Sequence, residues 1–534
     1  MDPDYYSVRS DASLIQRIVD GLFDRDASLW PSSESISDIP FGWIDAPERM
    51  IEQYDGLYSS IDLLRTEFKN LIVIGQGGST LGARSIIQFS DICKDSLVSF
   101  IDSTHPETIL RLQEKIEVDK TLFVVSSKSG STVETLNLFE YFYDFVRKHI
   151  NEMDVGSRFV AITDPGSPLE KMAVELSFRD VINGYKDVGG RYSVLTPFGL
   201  YPAAFQGVNI KKILEGALEA KNRFITNDHE NDLFVLINFL VESLKNNRST
   251  TLLIPDESLT CFSSWIEQLL AESLGKSGKG IFPVIGSKNR NYDFLKNHCA
   301  TIFVNDNRSK NYSYDTVPDS DIFGNSLEVQ ETLICEIADG KEFGEEIMKW
   351  EFATAILGSL IEVNPFDQPQ VEEAKASSRV FLRHREAGDK IESNEISAIK
   401  ELLDGLIDKD YIAILAYLAP SDYAELALAE FKDKLMNMFA IPVTYAFGPA
   451  YLHSTGQFHK GGPPTGKFIQ LIDNGIQETL VVPGRDYNFH ELIKAQADGD
   501  FDVLVKSGKK IVRINVEKDL NEKLKQIVLS VTAG

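Results

Sequence analysis

Two spacings of hydrophobic residues alternate along the chain. Residues 1 to about 65 place apolar side chains three and four apart, as in ASLIQRIVDGLF at 12–23, which predicts a helical opening. From residue 70 the pattern changes to short continuous apolar runs: NLIVI (70–74), TLFVV (121–125) and RFVAI (158–162). A strand covered by helices on both faces reads this way. Each run ends in a turn rich in Gly, Ser, Thr or Asp, and helical spacing follows the first two. The pattern predicts a parallel sheet in an α/β unit reaching to about residue 230. It recurs in TLLI (251–254), IFPVI (281–285), ATIFV (300–304), YIAIL (411–415) and KFIQLI (467–472), interrupted by mostly helical sequence at about 325–405. The predicted fold class is α/β, with two domains built on parallel sheets flanked by helices. A helical N-terminal segment (1–66) precedes a first domain (67–230). The second domain (231–534) carries the helical insertion and a C-terminal segment. No fixed-period repeat or low-complexity tract interrupts this organisation.

Composition narrows the class of partner. The 534 residues suffice for a large core, and 43% hydrophobic with 25% charged residues is ordinary for a soluble globular protein. Asp and Glu outnumber Lys and Arg by 80 to 54, a formal charge of −26. Nucleic acids and anionic membranes reward clustered cations, so neither is an expected partner. A small anionic substrate is compatible with this field, because local amides and hydroxyls can hold it. Cys93, Cys261, Cys299 and Cys335 are scattered without metal-type spacing and are expected as free thiols in a reducing cytoplasm. The opening Met-Asp-Pro-Asp-Tyr-Tyr lacks an apolar signal core, and the apolar run 411–419 is too short to span a bilayer. A cytoplasmic protein is expected.

The stretch 264–276, SWIEQLLAESLGK, points most directly to chemistry. Ser264 with Glu267 reads as a capping box that starts a helix, and Gly275 reads as its left-handed stop. Trp265, Ile266, Leu269 and Leu270 form its apolar stripe. Glu272 lies at the stripe's edge, one turn beyond Gln268 and two beyond Trp265. A carboxylate beside an indole and a glutamine is partly desolvated, which raises its proton affinity toward that of a general base. A solvated glutamate on an amphipathic helix is the plain alternative.

Five loops supply further groups. The turn GQGGSTLG (75–82) follows a strand, but Thr80 stands where a dinucleotide fingerprint needs its third glycine. Ala83 and Arg84 follow Gly82 where a P-loop needs Lys and a hydroxyl. It signals close backbone approach. The turn SSKSGSTVE (126–134) gathers five hydroxyls, a lysine and a glycine at a helix N-terminus, more than a cap needs and suited to a phosphate. VGGRYS (188–193) offers Arg191 behind two glycines, where a guanidinium can meet developing negative charge. QPQVEEAK (368–375) starts a helix and presents Lys375 about two turns in. Finally, HSTGQFH (453–459) carries two histidines among glycines and hydroxyls, without metal-ligand spacing and suited to proton transfer.

Together these segments resemble the phosphoglucose isomerase family. Its motifs IGxGGS, SKxxxTxET, VGGRYS, ESxGK, QPxVExxK and HSxGQ correspond to 74–79, 127–135, 188–193, 272–276, 368–375 and 453–457. The pattern YLHSTGQxHKGGPxTG is most similar to the isomerase half of bifunctional transaldolase/phosphoglucose isomerase proteins; no transaldolase barrel is expected here. The resemblance implies two sugar-isomerase (SIS) domains and the interconversion of glucose 6-phosphate and fructose 6-phosphate. It places Gly78, Ser79, Ser127, Lys128, Ser129, Ser131 and Thr132 around the phosphate. Glu272 would move a proton between C1 and C2 through a cis-enediol, Arg191 would stabilise the enediolate, and Gln268 would lie beside the sugar. Ring opening would fall to His453 and Lys375. No metal or other cofactor is implied, and the expected partners are a sugar phosphate and a second copy of the chain.

The order of motifs departs from the family's, because Lys375 precedes His453; His459 therefore rivals His453. Two other readings compete. A non-catalytic SIS-type sugar-phosphate sensor would keep the hydroxyl loop but not need Glu272, Arg191 and Lys375 together. An isomerase of a related substrate such as mannose 6-phosphate would use the same groups.

Overall fold

The continuous apolar runs become strands with buried backbones, and helices cover them. A computed structural model describes residues 12–32, 38–90, 97–226, 231–308, 332–383, 391–475, 479–516 and 519–532, without the side chains of 370–375. Cys93 and the opening 1–11 lie outside the described residues. Ahead of the first strand run the helices Ala12–Phe23 and Ala46–Glu67, as the spacing predicts.

The first sheet contains β1 (Asn70–Gly75), β2 (Leu97–Ile101), β3 (Thr121–Ser126), β4 (Phe159–Thr163) and β5 (Asp180–Asn183), ordered β2-β1-β3-β4-β5. All its pairings are parallel. The chain reverses its direction of travel across the sheet between β1 and β3, and a crevice opens there beyond the carboxyl ends of the strands. The glycine turn 76–79 leaves β1 and the hydroxyl loop 127–132 leaves β3. Both loops with ligand-binding chemistry therefore flank the same crevice.

The second sheet contains β6 (Thr250–Pro255), β7 (Phe282–Ile285), β8 (Cys299–Asp306) and β9 (Thr332–Ile337), ordered β7-β6-β8-β9. The third contains β10 (Tyr411–Tyr417), β11 (Val443–Phe447), β12 (Gly466–Asp473) and β13 (Lys510–Val516), ordered β11-β10-β12-β13. Both are parallel throughout. The runs at 411 and 467, which the pattern alone groups with 251–304, thus belong to a sheet of their own. A buried run records that a strand is covered, not which strand it pairs with. The described residues between 325 and 405 are mostly helical as expected (Gly340–Leu360, Pro369–Arg383 and Ser397–Leu403), but β9 also lies among them.

The third sheet joins the first through side chains of the C-terminal segment. Val482, Phe489 and Leu492 pack into the core on one face of the first sheet, with Phe123, Phe139 and Phe142. Arg485 makes two hydrogen bonds to Glu140, and His105 lies 3.3 Å from Asp473. Asp473 ends β12, so the carboxyl end of that strand meets the segment that follows β2.

One core position carries a cost. Glu351, in the helix Gly340–Leu360, is fully buried, and neither carboxyl oxygen has a hydrogen-bond partner among the described residues. Burial pushes its pKa well above the ordinary value, so the folded chain holds it protonated while the unfolded chain ionises it above pH 4.5. Folding then takes up a proton, and this position's contribution to stability falls as pH rises above 4.5. Glu351→Leu is expected to stabilise the chain by about 1–3 kcal/mol at neutral pH. Denaturant unfolding should show the gain shrinking toward pH 5; a loss of stability at pH 7 would mean the carboxyl is held by partners.

Candidate active site

The helix Thr260–Leu274 follows β6 and lies buried on nearly every side. It begins four residues before the expected capping box. Ser264 Oγ donates to Thr260 O within the helix at 3.1 Å, so it caps nothing. Gly275 also ends the helix for a different reason than expected. Its φ of −76° suits any residue, but a Cβ there would come within 2.5 Å of Phe458 Cα. The expected stripe is sound: Trp265, Ile266, Leu269 and Leu270 are all buried, and Trp265 Nε1 donates to Arg191 O at 3.1 Å.

Glu272 is 5% exposed and sits between two donors. Gln268 Nε2 donates to its Oε2 at 2.9 Å, and Arg191 Nη1 lies 3.5 Å from its Oε1. Burial raises the carboxyl's pKa, and burial outweighs the opposing pull of Arg191, Gln268, His453 and Lys276. A base that holds its proton more tightly than an exposed glutamate, in a dry setting, is suited to abstracting a proton beside a carbonyl.

Arg191 is nearly fully buried and anchored on every side. Its Nε donates to Ser273 Oγ at 2.7 Å, and Nη2 donates to the carbonyls of Pro365 and Asp367. Lys276 fixes that turn from below, donating to Ser273 O at 2.6 Å and Asn364 O at 2.7 Å. Burial, with the Arg191 charge, lowers its pKa to about 7. The loop carrying Arg191 presses on the glycine turn. A Cβ on Gly78 would lie 2.1 Å from Gly190 O, so glycine is required by backbone approach.

The hydroxyl loop sits at the start of the helix Val133–Arg147. Thr132 occupies the N-cap position without bonding the helix amides, and its hydroxyl accepts from Ser127 Oγ at 3.2 Å. Ser129 and Ser131 are exposed and hydrogen-bonded to each other at 3.0 Å. Ser79 O accepts from Ser126 Oγ at 3.0 Å, which ties the two crevice loops together. The ammonium of Lys128 is turned aside, donating to Asp164 and to Tyr185 O.

The loop after β11 closes the site from the third sheet. Gln268 Nε2 donates to His453 O at 2.8 Å, and a Cβ on Gly77 would meet the same oxygen at 2.5 Å. The His453 ring faces the hydroxyl loop, with Nε2 at 3.3 Å from Glu134 Oε1. His459 lies elsewhere. It is 1% exposed, packs against Phe282, Tyr411 and Phe468, and pairs Nδ1 with Tyr411 OH at 3.0 Å. Burial lowers its pKa well below the ordinary histidine value, so it stays neutral in the core.

One chain thus brings together Glu272, Gln268, Arg191, His453 and the loops carrying Gly78, Ser79 and 127–132. Lys375 lies on the helix Pro369–Arg383, and its side chain falls outside the described residues. Glu134 carries no signal of its own in the sequence. A glutamate in the first turn of a helix usually complements the helix dipole; its burial beside a histidine 319 positions away emerges only from the fold. Among the described residues no three His, Cys, Asp or Glu side chains gather as a metal site. Likewise, among the described residues no helix is long and apolar enough to cross a membrane.

The comparisons with known proteins agree with this geometry. Residues 62–281 match the phosphoglucose isomerase family model. A Methanococcus maripaludis protein named "Probable glucose-6-phosphate isomerase" is 32% identical over 394 residues, spanning 66% of this chain and 86% of its own. The glucose-6-phosphate isomerase of Mesomycoplasma hyopneumoniae strain J is 31% identical, over 63% of this chain and 89% of its own. Among solved structures, a hypothetical protein of Thermus thermophilus matches with a TM-score of 0.59 at 26% identity, covering 70% of this chain and 95% of that one. A glucose-6-phosphate isomerase of Chlamydia trachomatis shares the fold, with a TM-score of 0.58 at 20% identity, covering 71% of this chain and 85% of that one. With its buried glutamate, anchored arginine and paired crevice loops in one constellation, the chain belongs to the phosphoglucose isomerase family.

Proposed function

We infer that the protein is an aldose–ketose isomerase that interconverts D-glucose 6-phosphate and D-fructose 6-phosphate, a step of glycolysis and gluconeogenesis. The observation that carries this reading is Glu272, desolvated and shared between Gln268 and Arg191. An aldose–ketose shift needs one base that reaches two adjacent carbons, a cation near their oxygens and an anchor for the phosphate. Each has a named group here. The hydroxyls of 127–132 with the uncapped helix start hold the phosphate dianion, while Gly78 and Ser79 shape the opposite wall.

In the proposed sequence, His453 as the imidazolium paired with Glu134 donates a proton to the ring oxygen. The neutral amine of Lys375, by the family resemblance, takes the proton of the C1 hydroxyl of glucose 6-phosphate or the C2 hydroxyl of fructose 6-phosphate. The C–O bond breaks and the open-chain carbonyl forms. Glu134 stabilises the imidazolium that results when the proton returns. Glu272 then takes the proton from C2 of the aldose, and the electron pair moves into a C1–C2 double bond. Arg191 stabilises the negative oxygen of the resulting cis-enediolate, a proton passes from the C2 oxygen to the C1 oxygen, and Glu272 returns its proton to C1 as the C2 carbonyl forms. No net oxidation occurs. The reading includes a cytoplasmic setting and association of two copies. His453 comes from the same chain as Glu272, so a second copy need not supply it.

The test is a coupled assay of fructose 6-phosphate conversion with a chelator present. Turnover is expected to persist. Loss of activity on chelation would redirect the reading to a metal-dependent isomerase. Ser127→Ala and Thr132→Ala should each raise KM with little change in kcat, as expected for groups that hold a remote phosphate in ground and transition states alike. Unaltered kinetics would remove the hydroxyl loop from the phosphate site.

A further inference from the structure

The His453–Glu134 pair has a third member, contributed by the C-terminal segment. Gln496 lies on the helix Phe489–Lys506 and is 5% exposed. Its Nε2 donates at 2.6 Å to Glu134 Oε1, the oxygen that also faces His453 Nε2 at 3.3 Å. Its Oε1 accepts from Thr104 Oγ1 at 3.3 Å. The two ends of the amide therefore have distinct partners: a hydroxyl donor on one side and a carboxylate on the other. Turning the amide over would set its oxygen against the carboxylate, so this orientation is the favourable one.

A neutral donor is the appropriate group for this position. A buried carboxyl without a donor would hold its proton more tightly and lose its hold on a charged imidazole. A lysine or arginine would keep it ionised but would compete with His453 for it. An amide stabilises the carboxylate and adds no charge. The helix is kept in place by a buried polar cluster behind it. Tyr417 OH lies 3.3 Å from Tyr451 OH, Tyr451 OH donates to Asp500, and Lys460 Nζ is 2.5 Å from Asp500. Among the described residues, the charged and titratable groups around the pair are thus Glu134, His453, Glu272, Asp500, Lys460, Tyr417 and Tyr451, with Arg513 beyond Tyr417.

We propose that Gln496 is a positioning residue for ring opening, holding Glu134 ionised and aimed at His453. The proposal rests on the isomerase reading above. It acts on the sugar only through Glu134 and His453, so it should matter for cyclic substrates and not for open-chain ones. An aldotetrose 4-phosphate provides the contrast, because its terminal hydroxyl is esterified and it has no five- or six-membered ring to open.

The experiment compares wild type, Gln496→Leu and Gln496→Glu on fructose 6-phosphate and erythrose 4-phosphate across pH. Gln496→Leu is expected to lose about 10–100-fold in kcat on the hexose, the value of a hydrogen bond to a charged group. Its KM should stay within about twofold, and its tetrose rate should stay near wild type. Measured as a ratio to wild type at the same pH, which cancels the acid limb of Glu272, the hexose activity of Gln496→Glu should recover as pH falls, because a protonated carboxyl can again donate to Glu134. Equal losses on both substrates, no loss on the hexose, or no recovery at low pH would overturn the assignment. Failure of wild type itself to isomerise either sugar would instead strike the isomerase reading.

Discussion

Glu272→Gln should reduce turnover of fructose 6-phosphate by about 10²–10⁴-fold, the usual contribution of a general base. The substitution keeps the shape and the capacity to bond Gln268 but removes the ability to accept a proton from carbon. Arg191 would lose its 3.5 Å counter-charge, yet its bonds to Ser273, Pro365 and Asp367 do not involve Glu272. The arginine is therefore expected to stay in place, and KM to change far less than kcat. The pH profile of the wild type follows from the same burial. Because burial raises the pKa of Glu272, the acid limb of kcat/KM should lie above the 4.5 of an ordinary glutamate. Activity falls as pH drops through that value, since only the ionised form is a base. An acid limb at or below 4.5 would mean that the site is wetter than the helix packing allows.

His453→Asn should cost about 10²-fold or more on cyclic substrate, since no acid would then serve the ring oxygen. His459→Asn should act differently. That ring is buried among Phe282, Tyr411 and Phe468 and bonds Tyr411, so its replacement leaves a poorly filled space in the third sheet's core. The expected result is an earlier unfolding transition, with folded protein retaining most of its activity. The contrast separates the two histidines without ambiguity. Were His459→Asn fully stable but unable to open the ring, while His453→Asn remained active, the roles would be reversed.

Which parts of this were legible before the fold was known has a physical explanation. β1, β3, β4, β6 and β10 are continuous apolar runs because helices cover both their faces, and such runs need no context to recognise. β13 gives no such signal. Its Arg513 is buried yet satisfied by Gln470 and Asp498, so the strand reads as half-polar. β5 is a four-residue edge strand, and β9 sits at the edge of its sheet. Short or edge strands carry little burial to read.

The same distinction holds at the site. The Glu272 helix announced itself because Trp265, Ile266, Leu269 and Leu270 set its face locally. The hydroxyl loop was equally plain, as its density of Ser and Thr exceeds what a helix cap uses. Glu134 and Gln496 were hidden, because each is unremarkable in its own helix and acquires meaning from a partner hundreds of residues away. Lys128 illustrates the converse. Its place in the loop suggested a phosphate contact, while the fold commits its ammonium to Asp164 and Tyr185.

The central claim is that Glu272 carries the migrating hydrogen as a proton. Conversion of fructose 6-phosphate in deuterium oxide, followed by NMR of the product, tests it most directly. A carboxyl that holds the proton between two carbons exchanges part of it with solvent, so wild type should form glucose 6-phosphate labelled at C2. Glu272→Gln should produce neither product nor label at a comparable rate. Product free of deuterium at C2, or labelling that survives the substitution, would contradict the account.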